Sequence, residues 1–415
     1  MYDELEAELT KDQEALREQA HRFAVEVLRP ASLALDAMDP EEVIAEGSPY
    51  WNVVRSWYSQ GNHGLGFAEE IGGAGLTPFE QHLVFEELGW GAADLAVSLG
   101  VSTFPFMLIE RMAALVGAND LIDELVVPFI EDRSGGVIGC WAITEPMHGS
   151  DTLDVGDASF GDASVAGQCR ARRDGGEWVI AGQKSAWVSN GTIATHACVY
   201  LTVDPSKGMA GGGVAVVPLD RPGVSRGKQW AKIGQRALPQ GEIFFDDVRI
   251  PERYMIIGPE LYPEAVEATL ASANAGMGAI FTGLARAAFE EALEYTHDRV
   301  QGGKLISEHQ LVQSKLFQMF VRVEQARALS RRAYIHSQTA LLPMVEYSIA
   351  SKVTGTEAAF EVANAAVQLC GAIGLSKGVL VEKLLRDARA ALIEDGVNEL
   401  LGLVAARRLV ARPVG

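Results

Sequence analysis

Cysteine is scarce. The 415-residue chain has four, Cys140, Cys169, Cys198 and Cys370, with no CxxC pair among them. That scatter argues against a disulfide framework and suits a reducing compartment, so a cytoplasmic location is expected. Neither His196 with Cys198 nor any other histidine shows ligand spacing, and no metal site is expected. Basic residues are also short, with 35 Lys and Arg against 55 Asp and Glu and a formal charge of -20. Such an excess disfavours nucleic acid and anionic membrane as partners, although local cations in an acidic protein still suit an anionic coenzyme. No apolar run approaches the roughly 20 residues needed to cross a bilayer. The opening Met1-Tyr2-Asp3-Glu4-Leu5-Glu6 is acidic where a signal peptide would be basic and then apolar, so no targeting segment is expected. Low-complexity tracts and internal repeats are absent as well.

What is present is an ordinary globular composition, 48% hydrophobic and 22% charged, in a chain too long for one core. Two or three domains are therefore expected. Residues 1–135 carry helical periodicity, with Leu16, Phe23, Ala24 and Val27 on one face and Gly72-Gly73-Ala74-Gly75 as punctuation. Across 136–255 glycine becomes dense and strand-like runs appear, Glu177-Trp178-Val179-Ile180 and Val214-Ala215-Val216-Val217, which predicts an antiparallel β-domain. In 256–415 a period near 3.6 returns in four alanine- and leucine-rich segments, 264–298, 308–341, 344–369 and 379–410, which predicts a four-helix bundle. The fold class is thus α+β and multi-domain: helices, sheet, helices.

Several short blocks carry chemistry. Near the C-terminus Arg386-Asp387-Ala388-Arg389 is followed by Ile393-Glu394-Asp395-Gly396-Val397-Asn398-Glu399-Leu400; by itself, a carboxylate before a glycine reads as a charged helix end. Trp141-Ala142-Ile143-Thr144-Glu145-Pro146-Met147-His148-Gly149-Ser150 has the proline and glycine of a tight loop with free backbone N–H groups. Gln183-Lys184-Ser185-Ala186-Trp187-Val188-Ser189-Asn190-Gly191 reads locally as a strand that ends in an Asn-Gly turn.

Together with Lys232 to Arg236, Asp298 to Gln310 and Gln368-Leu369-Cys370-Gly371-Ala372-Ile373-Gly374, these blocks resemble the acyl-CoA dehydrogenase family in order and spacing from the Leu9-Thr10-Lys11 helix to the end of the chain. The resemblance implies an FAD-dependent α,β-dehydrogenation of an acyl thioester. Asp395 stands where the family has its base, usually glutamate; it would take the α-proton while flavin N5 takes the β-hydride, with Glu394 as the fallback base. Polarisation of the carbonyl would come from the Asp395 backbone N–H and the cofactor. The shorter side chain implies extra room of about one methylene for a bulky acyl group.

The same resemblance implies FAD contacts from Trp141, Ile143, Thr144, Ser150, Trp187, Ser189, Val397 and Glu399, and substrate contacts from Ser150, Asp395 and Gly396. Arg299, at the pyrophosphate, and Gln310, near the adenosine part, would reach the FAD of a neighbouring subunit, which implies a homotetramer or homodimer, while Gln368 and Gly371 belong to a glycine-containing loop that would approach the AMP half of FAD. A guanidinium fork suits phosphate oxygens. Three departures stand out: one additional residue between Lys184 and Trp187, Gly302 in place of an aromatic, and Ala273-Asn274 where some relatives carry a glutamate base and a coenzyme A-binding arginine. The acyl carrier therefore stays open between coenzyme A and a carrier protein. The expected electron acceptor is an electron-transfer flavoprotein, in lipid metabolism; a flavin oxidase resembling nitroalkane oxidase and a non-catalytic subunit are the alternatives.

Overall fold

The computed structural model describes residues 9–340 and 343–411. The acidic opening hexapeptide and the expected helix end at Leu341 lie outside the described residues. Among the described residues, seven α-helices build the first domain: α1 (Lys11–Phe23), α2 (Arg29–Asp36), α3 (Pro40–Val43), α4 (Pro49–Ser59), α5 (Pro78–Val101), α6 (Phe104–Val116) and α7 (Val127–Glu131). α1 starts with a capping box in which the Thr10 hydroxyl accepts the Gln13 N–H and Gln13 accepts the Thr10 N–H. Thr77 and Glu80 repeat the device at α5, with Pro78 in its first turn; each box satisfies two otherwise orphaned donors.

The middle domain is one eight-stranded sheet: β1 (Gly139–Ala142), β2 (Arg170–Asp174), β3 (Glu177–Ser189), β4 (His196–Thr202), β5 (Gly212–Pro218), β6 (Val224–Arg226), β7 (Gln240–Pro251) and β8 (Met255–Ile257). Its order is β6-β7-β3-β2-β4-β5-β8, with β1 added beside β4. The expectation of a wholly antiparallel sheet needs correction, because β1 runs parallel to β4 and β2 touches β4 in parallel at Arg170 and Thr202. The cause is connectivity: the β2–β3 hairpin intervenes, so the chain re-enters the sheet beside β1 in the same direction. The additional residue before Trp187 falls in an irregularity of β3, where four steps from Lys184 to Val188 face two steps of β7, Ile243 to Gly241. A bulge of this kind re-aims side chains.

The last domain comprises α8 (Tyr262–Asp298), a small hairpin of β9 (Val300–Gln301) and β10 (Lys304–Leu305), then α9 (Gln310–Thr339), α10 (Val345–Cys370), α11 (Leu380–Ala391) and α12 (Asn398–Ala411). Here too a correction is due: the helix expected over 379–410 is two helices. Asp395 and Gly396 take φ values of 49° and 96°, left-handed backbone that an α-helix cannot continue through. Val345–Leu375 has the length and apolar content to cross a membrane, with a mean hydropathy of 1.4 over its best window. That stretch packs against α8 and α9 in the bundle.

α5 and α8 cross closely enough to weld the first domain to the bundle. A Cβ on Gly89 would fall 1.9 Å from the Ile280 carbonyl oxygen, and one on Gly283 would fall 2.0 Å from that of Glu86. Beside this crossing lies a buried ion network. Arg286 bonds Glu86 at 2.9 Å and Glu87 at 2.5 Å, Arg327 bonds Glu86 at 3.0 Å, and His21 meets Glu87 at 2.8 Å. Breaking a buried pair strands its partner charge away from water. Glu86→Leu is therefore expected to lower stability by about 3–5 kcal/mol, measured by urea unfolding; an unchanged midpoint would mean that the arginines find water instead.

Candidate active site

The loop between α11 and α12 is held from three sides. Asn274 of α8 donates its Nδ2 to the Asp395 carbonyl at 3.2 Å. Lys352 of α10 donates its Nζ to the Gly396 carbonyl at 2.8 Å and to Asn398 Oδ1 at 2.7 Å. From the middle domain, the Ser150 hydroxyl accepts the Val397 N–H at 3.0 Å. Glycine is required at 396 because a Cβ there would meet Leu401 at 2.8 Å and Leu153 at 3.1 Å. Asp395 tolerates its left-handed backbone as aspartates do more readily than most residues.

Burial then sets the charges. Desolvation pushes the Asp395 carboxyl up to about 6, with the Lys352 ammonium pulling the other way. Glu394 is raised to about 8 by desolvation and by the adjacent Asp395. Lys352, fully buried, is lowered to about 8, again chiefly by desolvation, with Asp395 opposing. A carboxylate kept near neutrality in a cleft is suited to proton transfer.

Asp395 and Gly396 line a cavity of about 700 Å³ that also touches Trp141, Ile143, Thr144, Ser150, Trp187 and Ser189. The loop bearing Thr144 is pinned by Glu145, which is buried, pairs with Lys184 at 2.8 Å and accepts the Gln168 and Cys169 N–H groups. Lys184 also donates to the Ile143 carbonyl, and the Ser185 N–H donates to that of Thr144 at 2.9 Å. Trp141 stacks on Phe104 at 5.4 Å and leaves its buried Nε1–H without a partner. Trp187, set in the bulge, stays 55% exposed beside Trp230. The exposed Trp187 indole, the orphan Trp141 N–H and several hydroxyls on one cavity fit a planar polar ring system such as isoalloxazine.

Among the other expected contacts, Arg299, Gln310, Gln368, Gly371 and Glu399 are exposed and do not line this cavity. Val397 contributes its backbone to the loop but is also absent from the lining. Conversely, Lys352 was not singled out by sequence reasoning. Its only signal is a cation on the α10 face shared by the buried Ile349, Gly355, Thr356 and Ala359. Nor was the apolar wall from the first domain, including Phe67, Val84 and Phe85.

The three sections of the chain match three family models: acyl-CoA dehydrogenase N-terminal domain over 10–114, middle domain over 140–248 and C-terminal domain over 264–410. The chain belongs to the acyl-CoA dehydrogenase family. It is 31% identical over 342 residues to the mitochondrial short-chain specific acyl-CoA dehydrogenase of Bos taurus, covering 82% of this chain and 78% of that protein. The glutaryl-CoA dehydrogenase–glutaryl-CoA complex superposes with a TM-score of 0.85 at 27% identity, covering 98% of each chain. Butyryl-CoA dehydrogenase from Megasphaera elsdenii gives 0.84 at 26%, covering 98% of this chain and 100% of its own. This member of the family is accordingly a flavoprotein oxidoreductase acting on CH–CH groups, with FAD as its cofactor.

In this member of the family, Lys352 is the cation nearest the problem of charging Asp395. Lys352→Met removes two hydrogen bonds and that cation, so it should cost about 1–3 kcal/mol and move the Asp395 midpoint above about 6. Denaturation and the pH profile of flavin reduction check both parts, and an unmoved midpoint would show that Lys352 does not act on Asp395.

Proposed function

We propose that Asp395 removes the α-proton of an acyl thioester bound in the 700 Å³ cavity. The carrying observation is a half-buried carboxyl on the cavity wall, in a loop fixed by Asn274, Lys352 and Ser150. Fixing matters because a general base works only when held within reach of its proton. The Asp395 backbone N–H serves to polarise the thioester carbonyl. Trp141, Ile143, Thr144, Trp187 and Ser189 hold the flavin ring within the subunit. When bound, FAD supplies the acceptor for the hydrogen and electron pair that leave the β-carbon.

Arg299, Gln310, Gln368, Gly371 and Glu399 serve the cofactor of a neighbouring copy. Their support is positional: all five are exposed and off the cavity of their own chain, so a homotetramer or homodimer is needed to bring them to a flavin. Asn274 is fully buried, with its Nδ2 turned inward to the Asp395 carbonyl, and supplies no exposed cation for coenzyme A, which leaves an acyl-carrier protein as well as coenzyme A as the carrier. The prolyl acyl carrier protein oxidase AnaB shares the fold, with a TM-score of 0.83 at 23% identity, covering 97% of this chain and 100% of its own. Electrons pass on to an electron-transfer flavoprotein; peroxide release with oxygen as sole acceptor would replace that partner.

Two outcomes test the reading. Asp395→Asn keeps shape but cannot accept a proton, so FAD should stay bound while substrate-driven flavin bleaching slows by roughly 10²–10⁴-fold. In the native enzyme bleaching should rise with pH through about 6, because the base works only when deprotonated. Full activity of the asparagine variant would move the base elsewhere. Separately, Arg299→Ala should lower both flavin content and oligomer stability, since a cofactor shared between subunits stabilises their assembly by mass action. Unchanged values in absorbance and light scattering would remove Arg299 from the site.

A further inference from the structure

α8 has three glycines, Gly276, Gly278 and Gly283, and the packing of the chain accounts for only two of them. A Cβ on Gly278 would fall 2.1 Å from Ser351 Oγ of α10, and one on Gly283 would run into the Glu86 carbonyl of α5. Gly276 is different. A Cβ there would meet no atom within 4 Å outside the helix's own backbone, and the residue keeps ordinary helical φ and ψ. Glycine inside a helix is less stable than alanine, because it has more backbone freedom to lose on folding. Neither a close approach nor a turn calls for glycine at 276; what sets the position apart is open space.

That space belongs to the cavity that carries Asp395, since the half-buried Gly276 is on its wall. It is near the base. Asn274, two residues earlier on α8, bonds the Asp395 carbonyl at 3.2 Å, and Ala273, also on the wall, shares a helix face with Gly276 one turn away. Around it the wall is hydrocarbon, with Met277 and Ile280 of α8 and Val84 and Phe85 of α5. Resting on the acyl-thioester reading, we propose that Gly276 makes room for a hydrocarbon branch or ring at the reacting end of the acyl group, so that the substrates are branched or cyclic acyl thioesters. A longer straight chain would need depth at the far end of the cavity. Asp395 must reach the α-carbon, so a missing side chain within a turn of Asn274 adds width beside the carbons that react. Asp395, one methylene shorter than glutamate, widens the same end. Gly276 is thus a specificity-determining residue, with Asp395 the base.

The test uses saturated thioesters of phosphopantetheine, the arm that coenzyme A and a carrier protein share, on the FAD-loaded enzyme. Isovaleryl is compared with pentanoyl, and cyclohexanecarbonyl with heptanoyl, so that each pair is equal in carbon count. kcat/KM is read from flavin bleaching, and the matching α,β-unsaturated thioesters, which are not turned over, give Kd by calorimetry. The branched and cyclic members should be preferred by on the order of 10-fold or more in both readouts. Gly276→Ala should raise the thermal midpoint of the FAD-loaded enzyme, because alanine favours the helix, and should pull both ratios toward one; Gly276→Leu should bring them to one or below. A glycine kept for the backbone would behave in the opposite way, its alanine variant unfolding earlier. Native ratios near one or in favour of the straight chains, a lowered midpoint for Gly276→Ala, or ratios that neither substitution moves would overturn the assignment. Should the leucine variant not fold, the alanine variant decides. If no thioester bleaches the flavin, the dehydrogenase reading fails instead, while the calorimetric ratios still judge the role of Gly276.

Discussion

The buried ammonium of Lys352 is the contact on which the loop carrying Asp395 depends. Desolvating a lysine is costly, and it is tolerated where the donors are matched by acceptors. Here they are matched by the Gly396 carbonyl and by Asn398 Oδ1, the first a group that a loop with consecutive left-handed residues would otherwise leave unpaired in the interior. The same charge lies near Asp395 and opposes the desolvation that raises it. One side chain on α10 therefore acts on both the path of the loop and the basicity of the carboxyl it carries.

The cavity exists because three domains meet at this loop, and each junction has its own physical device. The first domain is drawn onto the bundle by the glycine crossing of α5 and α8 and by the Glu86, Glu87 and Arg286 network. The sheet is drawn in by Ser150, whose hydroxyl takes the Val397 N–H. A second buried network, Asp94 with Lys383 and Asp387, reaches Gln235 and through it Glu394. Polar contacts at such junctions fix angles more than they add stability, since a buried ion pair roughly balances its own desolvation. The result is a pocket whose walls come from separate units and whose geometry is set by a few directional bonds.

Departures from the family pattern become intelligible in this frame. Asn274, in place of a coenzyme-binding arginine, is short enough to turn inward and cap the Asp395 carbonyl. The additional residue before Trp187 is absorbed as a bulge opposite β7, and pairing resumes at Val188. Gly302 and Gly303, with φ values of 61° and 81°, close the β9–β10 hairpin between Arg299 and Gln310, a turn that an aromatic at 302 would strain.

The order helices, sheet, helices was determined by the sequence alone, because periodicity is a local property that needs no partner to be read; Thr144, Ser150, Trp187, Asp395 and Gly396 were singled out only by the resemblance of short blocks to the family, their local pattern reading as a loop, a strand and a helix end. The split between α11 and α12 was half legible: Gly396 is a stop signal, but the left-handed Asp395 before it persists only because Asn274 and Lys352 hold its surroundings. Tertiary structure alone decided the rest. The parallel pairing of β1 with β4, the ammonium of Lys352 beneath the loop and the apolar wall from Phe67 to Phe85 all join segments far apart in the chain. Contacts of that kind leave no periodic trace, since their energy appears only when the domains have packed and water has been removed from between them.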